Sequence, residues 1–154
     1  MTRAKLHAQV SQVDHLFHLA GSISQDPEVQ AHWAQYLCVK SAGLVETCMA
    51  IMLTDYCETR CTPDLHRYLK AQLGRFQNAN PEKIKQLLSS FNGDWGSSIE
   101  VFWDEQRKGS ISSIFNNRHL IAHGKPSTVT IGRLYPWYND TKQVVEFVRA
   151  LLFD

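Results

Sequence analysis

The sequence predicts an all-α fold, an up-and-down helical bundle with additional short helices, in a single domain spanning residues 1–154. Three observations predict it. Apolar residues recur at intervals of three and four along most of the chain. Three dipeptides, Asp26-Pro27, Thr62-Pro63 and Asn80-Pro81, combine an N-cap residue with a proline at the first helical position. Repeats, low-complexity tracts and linkers are absent.

Leu6, Val10, Val13, Phe17 and Ala20 form one stripe, so residues 3–23 read as an amphipathic helix ending at Gly21 or shortly after. Asp26-Pro27 opens a long helix that runs to about Thr59. Its stripe passes through Trp33, Leu37, Leu44, Cys48 and Met52, and residues 48–53, CMAIML, are apolar on every side, which predicts a central position. Thr62-Pro63 opens a third helix, TPDLHRYLKAQLGRF, and Asn80-Pro81 a fourth, NPEKIKQLLSSF, which Asn92-Gly93 breaks. SSIEVFWDEQRK reads as a fifth. Gly109-Ser110 then opens SISSIFNNRHLIAH, closed by Gly124 as the residue after the C-cap, with Lys125-Pro126 beyond it. Residues 127–139 are open between a strand over TVTI and a short helix from Thr130. Asp140-Thr141 is expected to cap a last helix, KQVVEFVRALLF.

Of the 154 residues, 44% are hydrophobic and 20% charged, which excludes disorder as the ground state. The net charge of +1 argues against gripping long duplex nucleic acid by counterion release alone, so nucleic-acid chemistry would have to be local. The start alternates polar and apolar residues without a signal-peptide core, and no stretch is expected to approach the ~18 apolar residues that span a bilayer. A cytoplasmic location without membrane contact is the expectation. Cys38, Cys48, Cys57 and Cys61 are then expected to be reduced.

The segment NNRHLIAHG, residues 116–124, places an arginine and two histidines beside an apolar run. His119 and His123 are four apart and share a helix face. Arg118 and His123 are five apart and diverge by about 140° on an intact helix. Side-chain length, distortion of the last turn, or a facing second copy of the helix would be needed to bring them together. The residue types suit metal-free RNA cleavage. That reaction needs a base for the ribose 2′-OH proton, an acid for the leaving oxygen and a cation for the phosphorane charge. Histidine serves in either proton role near neutral pH, and the guanidinium supplies the fixed charge. One chain alone makes a thin site, whereas two copies across a twofold axis make a sufficient one.

These residues resemble the R-x4-6-H motif of the HEPN superfamily, with Arg118, four intervening residues and His123, and with His119 as the polar residue that commonly follows the arginine. YLCVKSAGLVETCMAIMLTDYC, with Glu46 in mid-helix, looks like the long second helix of the RiboL-PSP type of HEPN domain; LLSSFNGDW and VVEFVRALL are similar to the same group. The resemblance covers roughly residues 10–153. It implies a HEPN-like helical bundle, a homodimer whose motifs face each other, and metal-independent endoribonuclease activity by 2′-OH attack. The product would be a 2′,3′-cyclic phosphate or its hydrolysis product. It also implies a toxin–antitoxin or phage-defence setting with an antitoxin-like partner, and no cofactor. The alternative it carries is a catalytically silent dimerisation or partner-binding module. A helical accessory domain for nucleotidyl transfer is a further class, although no second domain is expected from these residues.

Each candidate also has a plain structural reading. His123 could be a helix C-terminal histidine favoured by the dipole, and Arg118 a surface cation. His119 could orient phosphate, support His123 or only cap a groove. Asn117 could donate to substrate, or be an ordinary asparagine near a helix end. Glu46, among apolar neighbours, needs a partner; it pairs with Arg118 or a histidine, as orienting group or as structural ion pair. His119 with His123, and Cys57 with Cys61 and His66, have metal-ligand spacings but incomplete ligand sets, so no metal is expected. Trp33, Trp95, Trp103 and Trp137 read as core or interface. Lys5, Lys40 and Lys125 are too scattered to form a basic patch.

Overall fold

The computed structural model describes residues 1–154 as seven helices: α1 (Thr2–Ile23), α2 (Pro27–Glu58), α3 (Pro63–Leu73), α4 (Pro81–Phe91), α5 (Gly93–Phe102), α6 (Glu105–Ala122) and α7 (Ile131–Phe153). All three proline starts are realised. Asp26 accepts from the Glu28 and Val29 amides, Thr62 from Leu65, and Asn80 from Lys83. Each cap satisfies donors that the first turn of a helix leaves orphaned.

Three boundaries differ from expectation. Gly109-Ser110 opens no helix; both lie inside α6, which starts at Asp104, whose carboxylate accepts from the Arg107 amide at 2.7 Å. The fifth helix begins earlier than expected, at Gly93, with Asn92 both ending α4 and capping α5. Asp140-Thr141 likewise caps nothing. Thr130 caps α7 through the Arg133 amide, the helix continues past Pro136, and residues 127–139 hold no strand. Thr141 is buried and donates to the Trp137 carbonyl within the helix. Asp140 is buried because α6 needs it: it accepts from Ser110 Oγ at 2.6 Å and from Gln106 Nε2 at 3.3 Å.

α1, α2, α6 and α7 form the bundle, α3 lies along α2, and α4 pairs with α5 beside α6. α2 is central, as its all-round apolarity predicts. It buries Leu37, Leu44, Cys48, Met52 and Leu53, while Trp33 packs half-buried against the same core. It also corrects the membrane expectation: α2 is long and apolar enough to cross a bilayer, yet 56% of its most apolar window is buried inside the protein. Contacts with helices on several sides consume that apolarity. Trp95 and Trp103 are buried and Trp137 half-buried, in line with a packing role. The four cysteines are free thiols, with Cys61 alone partly accessible.

Tyr138 fastens α7 to α1. Its ring stacks on Phe17 at 4.5 Å, and its hydroxyl donates to Asp14 at 2.6 Å. Burial, then the Asp14 carboxylate, push the phenol well above its ordinary range, so it remains a donor at any physiological pH.

Asp140→Ala removes the acceptor shared by Ser110 and Gln106 and leaves polar groups unpaired in a closed site. Unfolding free energy should fall by about 1–3 kcal/mol in urea titration with an unchanged m-value. Wild-type stability in that variant would mean the α6–α7 seam does not depend on this carboxylate.

Candidate functional site

α6 packs through Ser110, Ile111, Ile114 and Phe115. Arg118 follows Ile114 by four residues and Phe115 by three, so it continues the inward face rather than the solvent face. There it meets Glu46, which α2 presents from its middle turns. Arg118 Nη1 donates to Glu46 Oε1 at 2.6 Å, and the guanidinium lies over the Phe115 ring at 4.9 Å. Nε and Nη2 of Arg118 make no hydrogen bond within the subunit. The side chains keep 24% and 13% of their exposure, so the pair sits at the rim of the core and not in it.

Glu46 has a second task. Its other oxygen, Oε2, accepts the backbone N–H of Asn78, in the loop between α3 and α4. Asn78 has φ +58°, a left-handed conformation that asparagine tolerates better than most side chains. One carboxylate thus ties α2, α6 and the α3–α4 loop together. Sequence reasoning left the partner of Glu46 open between Arg118 and a histidine, and missed Asn78. The string Asn78-Ala79-Asn80-Pro81, two turn-forming asparagines before a helix start, is the signal that could have found it.

Cys38 of α2 is beside the same arginine. Its thiol approaches the Ile114 carbonyl at 3.4 Å, and burial pushes its pKa up to about 12 despite the opposing pull of Arg118. Burial likewise pushes Cys48 up to about 12. Thiols held protonated in this way are poor nucleophiles.

The histidines lie elsewhere on the helix. His119 and His123 are exposed, with ring centroids 4.4 Å apart. His123 is the C-cap of α6. Gly124 follows at φ +65°; its amide reaches the Ile121 carbonyl at 3.1 Å, and that of Lys125 reaches Leu120 at 2.9 Å. This is a Schellman stop, and it needs a residue without a Cβ at position 124. The helix remains intact to Ala122, so Arg118 and His123 keep their divergence of about 140°. The subunit brings Arg118 to Glu46 and His119 to His123, but it does not join the two pairs by any hydrogen bond. Asn117 faces neither. Its Nδ2 donates to the Ser113 carbonyl at 2.8 Å, and its Oδ1 accepts from Ser127 Oγ at 2.9 Å, which anchors the segment after α6.

A polar cleft of about 370 Å³ flanks α6 and includes Asn116, Ser112 and Lys108 on one wall and Asn80 and Glu82 on the other. Lys108 is committed to Glu100 at 2.7 Å. With two carboxylates against one paired ammonium, this cleft disfavours phosphate. No group of three or more His, Cys, Asp or Glu side chains is arranged to hold a metal ion.

Residues 6–152 match the RiboL-PSP-HEPN family, nearly the whole length of the chain. The chain belongs to that family. No curated protein and no solved structure matches it. The match agrees with the all-helical architecture and gives this HEPN-type domain an association with ribonuclease or nucleotide-related function.

The Glu46–Arg118 pair should register energetically. A double-mutant cycle with Glu46→Ala and Arg118→Ala, followed by urea unfolding, should return a coupling of about 1–2 kcal/mol. Glu46→Ala should be the costlier single change, because it also removes the acceptor that fixes the Asn78 amide and the loop behind it. Additive single effects would show that the two side chains are neighbours without interaction.

Proposed function

We propose that this RiboL-PSP-HEPN domain is a metal-independent endoribonuclease acting as a cytoplasmic homodimer, with Arg118 and His123 as its catalytic residues and His119 supporting them. The observation that carries the reading is the split geometry of α6. A guanidinium is fixed by one nitrogen on Glu46 and keeps two further nitrogens unpaired within the subunit, while two imidazoles stand exposed about a turn away. Within one subunit these groups diverge. A second copy of α6, facing the first, would set the arginine of one chain towards the histidines of the other.

In that arrangement a phosphodiester sits against Arg118, whose unused N–H groups contact the non-bridging oxygens. One imidazole takes the 2′-OH proton as the 2′-oxygen attacks phosphorus. Another gives a proton to the departing 5′-oxygen, so the strand ends in a 2′,3′-cyclic phosphate and a 5′-hydroxyl. Glu46 keeps the guanidinium in place without touching substrate. Asn117, engaged with Ser113 and Ser127, acts only by holding the loop behind the motif. The setting proposed is toxin–antitoxin or phage defence, with an antitoxin-like protein as partner.

One observation favours a second reading, a catalytically silent partner-binding module. The Glu46–Arg118 pair is also what a purely structural ion pair looks like.

Purified protein should cut single-stranded RNA in the presence of EDTA, and His123→Ala should lose at least about a hundredfold in rate with an unchanged circular dichroism spectrum. Cleavage by the variant at the parental rate would assign the activity to a contaminant. For the dimer, Ala122→Cys in a Cys61→Ser background places an exposed thiol beside the motif. Oxidation should crosslink two subunits, and a chain that stays monomeric by light scattering would remove the composite site.

A further inference from the structure

α3 is an unusual member of this fold. It buries only Leu73, and Leu65 and Tyr68 stand 49% and 60% exposed. A helix contributing so little to the core would be expected to be neutral and polar. Instead, residues 60–75 hold four basic side chains, Arg60, Arg67, Lys70 and Arg75, against the single acid Asp64. That is a local charge of +3 in a chain of net +1, so the remainder of the molecule carries −2.

Three of the four basic groups are also free. Arg60 is committed to the Tyr56 carbonyl at 2.8 Å and lies over the Tyr56 ring. Arg67, Lys70 and Arg75 are exposed and make no hydrogen bond or ion pair with the protein, although acids elsewhere on the surface are paired. Arg67 and Lys70 are three apart and share a flank of the helix. Arg75 lies beyond the helix end at Gly74, on the loop that runs to Asn78. Three residues span at most about 10 Å, so Arg75 is within that reach of Asn78, whose backbone N–H is held by the carboxylate that also holds Arg118.

We infer that α3 and its trailing loop form an RNA-tracking arm: Arg67, Lys70 and Arg75 carry the phosphates of a single strand leading into the Arg118 site, with Tyr68 as an exposed surface for a base. The inference rests on the ribonuclease reading for the direction of the strand. Charge complementarity selects the occupant. Unpaired guanidinium and ammonium groups on a helix that also exposes an aromatic ring, next to Arg67, are the combination that single-stranded nucleic acid uses. The cleft along α6, with Glu82 and Glu100, would repel the same backbone. The track is too short and too weakly charged for long duplexes, in keeping with the small net charge of the chain.

The test is the variant Arg67→Gln/Lys70→Gln/Arg75→Gln, made in a His123→Ala background so that bound RNA survives. Gln preserves helix propensity, and none of the three side chains is buried. Affinity for a labelled single-stranded oligoribonucleotide should fall about tenfold, and the slope of log K against log salt should lose about 0.7 per charge removed, roughly 2 in all. With His123 restored, KM for long RNA should rise while cleavage of a dinucleotide, too short to reach the arm, is unchanged. Unaltered affinity and salt slope overturn the arm, including the case in which these charges serve a protein partner. Binding is read without cleavage, so a parent that cuts no RNA yet binds it through these charges overturns the ribonuclease reading and leaves the arm standing.

Discussion

The carboxylate of Glu46 is the constraint on which the rest of the candidate site depends. A charged group on the central, mostly apolar helix is costly to desolvate unless every lone pair finds a partner. Here one oxygen takes the Arg118 guanidinium and the other takes the Asn78 amide. The same interaction therefore sets the rotamer of the arginine, the register of α6 against α2, and the path of the loop that returns α3 to the bundle. Arg118 could not be exposed as the histidines are, because its position continues the inward row of Ile114 and Phe115. It sits at the rim of the core and is held there by Glu46.

That arrangement explains why the two halves of the motif behave differently. The histidines occupy the end of α6, where the Schellman stop at Gly124 closes the helix and nothing packs above the rings. The arginine is rigid and the imidazoles are open to solvent. A rigid cation and an accessible proton carrier are the parts that phosphodiester cleavage requires, and their divergence within a subunit is the physical argument for a second copy. Both families of contact are confined to the second half of α6, so other surfaces, α3 among them, are left free for other work.

Much of this was legible in the chain itself, for reasons that differ by element. Asp26, Thr62 and Asn80 announced three helix starts because an N-cap is satisfied within its own first turn and owes nothing to distant residues. Gly124 announced a helix end because a positive φ is a local demand. Gly109-Ser110 and Asp140-Thr141 misled for the converse reason. They have the composition of boundaries, but Ser110 and Asp140 are each other's partners across the α6–α7 seam, and only packing reveals that a polar residue is spoken for from outside its own helix. Asn117, open between a substrate contact and an ordinary helix-end asparagine, bonds Ser113 and Ser127, contacts that only the folded chain reveals.

The sequence by itself determined the fold class, the order of the helices, the central place of α2 and the set of residues, Arg118, His119, His123 and Glu46, from which a site could be made. Periodicity and capping are short-range properties, and they carry that far. Only the tertiary structure decided which of those residues meet. Whether Glu46 reaches Arg118 or a histidine depends on the packing of α2 against α6, and whether α3 is core or surface depends on how much of its face the bundle leaves uncovered. Both outcomes are set by long-range burial, to which no local pattern gives access.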